Sequence, residues 1–570
     1  MALPIEDFIN KPFFAYVSDL ASELGVSAYV FGGAVRDCYL CRAYSNIDIV
    51  LSGDPIEFSG RIARKLGVKA SYFKNSRIAK LHFKGDDISF YSFNGKNSTP
   101  GIHEELTEDE LLYTFLCERD LTINAIAISL SKEDYGGLVD PLRGIVDLYD
   151  GIIRAPMVPD HAFSIDPIRM LRAIRFVAEL SWSALPFRIS SESLDSIIRH
   201  ATRVKVIPRE RVAEELNKML VTSYPSRAID LMMRTGLLKI ILPWVYRLKG
   251  VKTINGLGYK DNFLRTLEVL NNVAREEEDA IKKGTISDCS SHTDKDCQFT
   301  PRTKPYLWLR WAALLLNIGK EDSKRFDPKT GWRFDGHEVI AGKMVPQVFK
   351  ELKLPLGDNM KYVQKLIALQ KRPNSLAEPG TTDSAYRRLL FDVGNDAEDL
   401  MLLCRANVTS RKPELVQKIQ AELLRIQKHL MQVEQEDALR NFKVPITGKY
   451  IMQVYGIEPG LVISQIKEQI KEAILDGQIP NTFEAADAYM RRIAPTLGLK
   501  DKEDVPDSVV LQEASEGHAA SKAIDATPSL AQDPENLTKF GVDDEISIQS
   551  EEDTDNPQQN STSIGSGLPF

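Results

Sequence analysis

Hydrophobic positions change their spacing twice along this chain. Residues 1 to about 27 carry a helical period that ends near Gly25. A β-rich segment then runs to about residue 155, through V-K-A-S-Y-F, A-K-L-H-F-K, D-I-S-F-Y-S-F and I-N-A-I-A-I-S-L. These runs alternate or stay apolar throughout, and Gly, Asn and Asp break them. After Pro159 the spacing turns helical almost without interruption. F-S-I-D-P-I-R-M-L-R-A-I-R-F-V-A-E-L opens a helix at Asp166-Pro167, with proline in the first turn. A polar stretch over 276–304 predicts an exposed loop, and helices resume with L-W-L-R-W-A-A-L-L-L-N-I-G-K, continuing to about residue 499. Beyond that Ser, Gln, Asn, Asp, Glu and Pro dominate, a composition that predicts disorder. No repeat of fixed period is present. The pattern therefore predicts an α+β fold, a mixed sheet with helices followed by all-α regions.

Composition adds limits rather than a function. At 570 residues the chain is too long for one core. No run of about 18 apolar residues predicts a membrane span, and the first residues lack the basic-then-apolar pattern of an export signal. The six cysteines are scattered, and the Cys38/Cys41 pair has no second pair at zinc spacing, so a reduced, cytoplasmic protein is expected. The net charge of −8 hides an asymmetry. Residues 501–570 hold 16 Asp/Glu against 3 Lys/Arg, leaving the other 500 residues at +5. A mildly basic body of that kind is compatible with a nucleic-acid partner.

The candidate chemistry lies in V-F-G-G-A-V-R-D-C-Y-L-C-R-A-Y-S-N-I-D-I-V-L-S-G, from Val30 to Gly53. It reads as a strand over 29–31, a Gly32-Gly33 turn, a helix beginning near Ala34 and a second strand over 47–51. Two glycines let backbone N–H groups approach an anion, the helix start points its positive end there, and Arg36 adds a fixed charge. Asn46 and Asp48 lie two apart, so both side chains leave one face of the strand. Nucleotidyl transfer needs two carboxylates in such a place, holding Mg²⁺ between a triphosphate and an attacking hydroxyl. This chain offers one carboxylate and one amide. Arg169, Arg172 and Arg175 recur every three residues beside the apolar Met170, Leu171, Ile174 and Phe176, as if lining a triphosphate or RNA groove.

Four ordered motifs carry a resemblance. They are Gly32-Gly33-Ala34-Val35-Arg36-Asp37, the Asn46/Asp48 strand, Glu118-Arg119-Asp120-Leu121-Thr122-Ile123-Asn124-Ala125, and Asp166-Pro167-Ile168-Arg169 through Arg175-Phe176. In these the chain resembles the bacterial-type tRNA nucleotidyltransferase/poly(A) polymerase family, the class of CCA-adding enzymes, with an HD-type domain behind the neck. The resemblance implies a nucleotidyltransferase palm over 1–155 and a nucleotide-selecting, RNA-binding neck over 156–245. It implies an HD-like domain over 246–430 and a helical tail domain over 431–499, ahead of the acidic stretch 500–570. It implies that Gly32, Gly33, Arg36, Arg119, Arg169 and Arg172 hold the triphosphate of ATP or CTP, with Asp120 and Asn124 near its ribose. Asp166 and Arg169 would present acceptors and donors to the edge of C or A. The implied partner is the 3′ end of tRNA or another RNA, and the implied cofactor is Mg²⁺ on Asp48.

The departures from the family pattern shape the expectation. Asn46 stands for the first metal carboxylate and Ser89 for a further strand acid, so metal binding is expected to be weakened. Glu118 and Ile165 replace an arginine and an acid. In the HD-like region Leu316-Asn317, Tyr259, Arg265 and Ala406-Asn407 occupy ligand positions, and only His337 remains, so no metal is expected there. Three readings follow: a working transferase that extends RNA 3′ ends, a catalytically silent paralogue that still binds tRNA or nucleotide, and a helical interaction protein using the scaffold alone. The surviving arginines argue against the last.

Overall fold

The computed structural model describes residues 5–44, 46–73, 77–93, 106–182, 185–286, 302–378, 380–410, 412–437 and 444–499; the acidic stretch expected to be disordered lies outside them. The first helical segment is two helices, α1 (Ile5–Ile9) and α2 (Pro12–Leu24), and Gly25 closes the second at φ 64°. Glycine adopts this left-handed geometry without the clash a Cβ would bring.

Seven strands build one sheet: β1 (Ala28–Phe31), β2 (Asn46–Leu51), β3 (Ala70–Phe73), β4 (Ile78–Phe83), β5 (Asp86–Ser92), β6 (Ala127–Ser129) and β7 (Leu138–Val139). Their order is β3-β4-β5-β2-β1-β6-β7, and only the β2–β5 pair is parallel. Helix α3 (Gly33–Tyr39) joins β1 to β2, as the glycine turn predicts. Further helices interrupt the segment read as β-rich. α4 (Pro55–Leu66) starts on an Asp54 cap and ends at Gly67, and α5 (Glu108–Cys117) starts on a Thr107/Glu110 capping box. The run I-N-A-I-A-I-S-L pairs only over Ala127–Ser129, because Thr122–Asn124 forms a 3₁₀ turn instead.

Alternation along the strands sorts the side chains into two layers. Ile47, Ile49, Leu51, Ala79, Leu81, Ile88 and Phe90 pack against Phe14 and Val17 of α2 and Phe58 and Ile62 of α4. On the opposite face Phe31, Val50 and Ala127 pack against Leu112, Phe115 and Leu116 of α5. That second face carries Asn46 and Asp48. Each buried leucine, isoleucine or phenylalanine stabilises the layers by about 1.5–3 kcal/mol, so strand register, and with it the facing of Asp48, is held by the core.

Helices follow: α6 (Gly144–Tyr149), α7 (Pro159–Ile165), α8 (Ile168–Leu180), α9 (Ser191–His200) and α10 (Arg209–Leu220). Asp166 is not the start of one helix but the extended residue that separates α7 from α8. A single apolar cluster runs from Leu121 and Ile123 through α8 to Ala494. Past residue 160, strands among the described residues are limited to Arg188–Ile189, paired with Ile152–Ile153, and a hairpin of Arg325–Asp327 with Gly331–Arg333.

The loop expected over 276–304 is corrected in its first part, where the helix Asn262–Lys283 runs on to Gly284. Polarity there does not mean exposure. Glu277 is fully buried and accepts from Arg310 Nε at 2.8 Å, Arg302 Nη1 at 3.0 Å and the Tyr306 N–H at 2.7 Å. Residues 287–301 lie outside those described.

Candidate active site

Gly32 sits at the junction of β1 and α3 with φ 80° and ψ −136°, a conformation closed to residues with a side chain. A Cβ there would lie 3.9 Å from Asp48 Oδ2 and 3.8 Å from the Asn124 carbonyl oxygen. The glycine turn, the strand carboxylate and the 3₁₀ turn thus meet at one point. Gly32→Ala is expected to destabilise the fold by about 1–3 kcal/mol through backbone strain, read as a lower midpoint in urea. An unchanged midpoint would show that the turn relaxes.

Asp48 pairs with Phe31 on one side and Ser89 on the other. Burial pushes its carboxyl up, while the Tyr91 hydroxyl, Arg119, Lys80 and Ser89 pull it back. Tyr91 donates to Asp48 Oδ1 at 3.2 Å, and burial together with that carboxylate pushes the phenol up to about 12. Asn46 begins β2, exposed, on the same face. Ser89 is where the resemblance expects an acid.

The arginines divide into those facing the site and those bracing it. Arg119 stacks over Phe115 at 4.1 Å and Phe31 at 5.6 Å, and desolvation lowers its pKa. Arg169 reaches from α8 to donate to the carbonyl oxygens of Arg119 at 3.0 Å and Glu118 at 2.6 Å. A chain of bonds then joins palm to neck. Arg36, buried and paired with Asp37, donates to Asn124 Oδ1 at 2.7 Å, and Asn124 donates to Asp120 Oδ1 at 2.9 Å. Asp120 Oδ2 meets Arg172 Nη1 at 3.5 Å. Arg172 and Arg175 share the buried Glu215 of α10, and Arg175 also pairs with Glu179. The arginine stripe is therefore corrected: Arg175 is a largely shielded clamp, while Arg169 and Arg172 stay half-buried, Arg172 beside Asp120. The periodicity gave the stripe its face, but its acidic partner came from a helix 40 residues away.

Gly33, Asp166 and Asn124 complete the predicted set. Gly33 opens α3 with Arg36 Nη2 3.7 Å from where its Cβ would be, and Asp166 is half-buried between α7 and α8. Sequence reading missed Tyr91 and Lys80, and it missed that Glu215 pairs with Arg172 and Arg175. Tyr91 was findable from its spacing of two from Ser89; Glu215 required the packing of α10 on α8.

The oxygen donors nearest Asp48 on this face are its own carboxylate, the Asn46 amide and the Ser89 hydroxyl, with the Tyr91 hydroxyl beside them and the Asp87 carboxylate exposed opposite Asn46. All are hard ligands, and a buried carboxyl whose ionisation burial disfavours gains from a nearby cation. They fit one divalent ion such as Mg²⁺. A second ion would find neutral oxygens and the exposed Asp87, whose Oδ1 lies 2.8 Å from His82 Nδ1.

Among the helices beyond residue 246, where the resemblance implies an HD-like domain, His337 is buried with Nδ1 2.8 Å from the Phe334 carbonyl oxygen. Burial, then the charges of Lys320, Lys371 and Arg265, hold it well below the usual histidine range. Asn317 donates to Thr266 Oγ1 at 3.0 Å, and Asn407 donates to Gln370 Oε1 at 3.3 Å. Among the described residues no group of three His, Cys, Asp or Glu could hold a metal.

A mixed sheet with a glycine turn and a strand carboxylate, braced by a helical neck through arginines, defines a nucleotidyltransferase-type palm and neck. Residues 28–154 match the family model "Poly A polymerase head domain", and residues 186–247 match "Probable RNA and SrmB- binding site of polymerase A". The chain is 28% identical over 382 residues to an A-adding tRNA nucleotidyltransferase of Deinococcus radiodurans, across 66% of this chain and 79% of the relative. It is 29% identical over 274 residues to a CC-adding tRNA nucleotidyltransferase of Halalkalibacterium halodurans, across 47% of this chain and 65% of that one. Its fold resembles that of a CCA-adding enzyme solved with CTP, at a TM-score of 0.53 and 21% identity, over 84% of this chain and 94% of that one. Together these matches support the tRNA nucleotidyltransferase/poly(A) polymerase family.

Proposed function

We propose that this protein adds CMP or AMP to RNA 3′ ends, tRNA above all, by nucleotidyl transfer from CTP or ATP. The observation that carries this reading is the meeting of Gly32, Asp48 and Asn124 at one point, with Arg119 beside them. The names of its relatives, A-adding and CC-adding tRNA nucleotidyltransferases, support it.

In the transfer, the RNA 3′ hydroxyl attacks the α-phosphorus, loses its proton, and pyrophosphate leaves as the α–β bridging bond breaks. Asp48, with Asn46 and Ser89 as neutral donors, would hold one divalent ion. Such an ion, when bound, would supply Lewis-acid stabilisation of the charge developing on the transferred phosphoryl group. The Gly32-Gly33 turn and Arg119 would bind the triphosphate. Arg36 holds Asn124, which holds Asp120, so a buried guanidinium sets the pair that would lie near the ribose. Arg169 fixes the backbone that carries Arg119, and with Asp166 it would face the base. Arg172 would add charge at the neck side while its Glu215 and Asp120 contacts orient it. The neck over 156–245 would select the nucleotide and bind RNA, with the HD-like body over 246–430 and the helices over 431–499 extending behind it.

The test is purified protein with tRNA lacking its 3′ end, each labelled nucleotide separately, and Mg²⁺ or Mn²⁺. Incorporation of CMP or AMP is expected. Binding of tRNA at low salt with no incorporation would establish the silent paralogue instead. Asn46→Asp restores paired carboxylates on one strand face, so it is expected to raise incorporation about 30-fold, as about 2 kcal/mol of added transition-state stabilisation gives. No rise would show that Ser89, Glu118 and Ile165 limit the site as well.

A further inference from the structure

Pairing across three adjacent strands places Asp48 on β2, Ser89 on β5 and Lys80 on β4 in one row. Residues paired in this way project from the same face of a sheet. On β4 the neighbours of Lys80, Ala79 and Leu81, are buried towards α4, so Lys80 itself stands on the exposed face that bears Asp48. Its ammonium rests 5.7 Å from the centre of the Phe73 ring, and no ion pair among the described residues holds it. Its charge is felt at the Asp48 carboxyl. The row thus reads carboxylate, hydroxyl, ammonium. The other carboxylate of this face, Asp87, lies two residues before Ser89 and is engaged by His82 Nδ1 at 2.8 Å, whereas a lysine one strand further on has a four-carbon stem and reaches several ångströms.

We propose that Lys80 is a phosphate-binding residue of this site, its ammonium supplying the positive charge that a second divalent ion would otherwise bring to the triphosphate. The inference rests on the nucleotide-binding reading above. A compact ammonium binds phosphate as a point charge and needs no precise geometry, which suits a mobile side chain at the rim of a pocket. Asp48 and its neighbours then carry one ion, and Lys80 meets the β- and γ-phosphates without any metal. The bland alternative is a solubilising surface lysine, and the two differ in one measurable respect. A surface lysine leaves nucleotide affinity untouched.

The experiment is ATP binding to the full chain by calorimetry in EDTA, so that no metal contributes, with Lys80→Met, Lys80→Arg and the parent protein compared at equal ionic strength. Lys80 is exposed, so both variants are expected to keep the parent's unfolding midpoint. Lys80→Met should weaken ATP binding about tenfold, and Lys80→Arg should stay within about threefold of the parent. With Mg²⁺ present, incorporation by the parent should rise with a single-ion dependence, and Lys80→Met should raise the KM for ATP. Equal ATP affinity of Lys80→Met and parent overturns the inference and leaves the transferase reading standing. A parent protein that binds no ATP overturns both. A parent that binds ATP but incorporates nothing, with Lys80→Met still weaker, sinks the transfer reading and upholds the lysine.

Discussion

Asp48→Ala is expected to lower nucleotide incorporation about a thousandfold, the loss of about 4 kcal/mol of transition-state stabilisation. Asp48 is the carboxylate that meets the glycine turn, while the other carboxylate on its sheet face, Asp87, stands exposed opposite Asn46 with its Oδ1 2.8 Å from His82 Nδ1. Asn46 and Ser89 offer neutral oxygens, and the next cationic groups, Arg119 and Lys80, repel a metal ion. The fold should survive the change. Burial pushes the Asp48 carboxyl up, which means that ionising it near neutral pH works against the folded state, so removing it should leave the urea midpoint unchanged or slightly higher. Loss of activity at an unchanged midpoint would therefore report chemistry. A variant that kept its activity would show that Asp48 is no ligand.

The largest effect on stability is expected far from that face. Glu277→Gln should destabilise the helical body by about 3–5 kcal/mol, read from urea unfolding, because it leaves buried guanidinium charge without its counter-ion. Arg310 and Glu277 are both fully shielded from water, and Arg302 is nearly so. Glutamine keeps an oxygen for the Tyr306 N–H but cannot balance two arginines. Asp399 would still hold Arg302 Nη2 at 3.0 Å, with Tyr362 donating to the same carboxylate at 2.8 Å, so Arg310 is the group left exposed to the loss. Incorporation measured well below the unfolding midpoint should be little changed, since the network lies in the body rather than the palm. A shift below about 1 kcal/mol would show that water or a rearranged Asp399 compensates.

The sequence by itself determined which residues make the turn, the strand and the caps. Two consecutive glycines ahead of A-V-R-D dictate a tight entry into a helix, and Gly32 takes a conformation no other residue tolerates. The i, i+2 spacing put Asn46 and Asp48 on one face, and the strand alternation held them there. The neutral Asn46 and Ser89, where the family resemblance implies carboxylates, were legible in the sequence, because they are matters of residue type. These are local consequences of sterics and period, and local rules suffice for them.

Tertiary structure decided the rest. The capping signals of Asp54 and Thr107 were present in the sequence, yet short apolar runs read equally as strand or buried helix until packing chose. The arginine stripe of α8 looked like an open groove, and only the approach of α10 showed Glu215 inserted between Arg172 and Arg175. Glu277 sat in a run of acids that read as a solvated loop until Arg302 and Arg310 arrived from beyond it. Lys80 was an ordinary strand lysine until the β4–β5–β2 order aligned it with Ser89 and Asp48. In each case the deciding partner lies tens of residues away in sequence. Whether a charge is solvated, paired or aimed at a ligand depends on desolvation and on which elements pack together, and periodicity along one segment records neither.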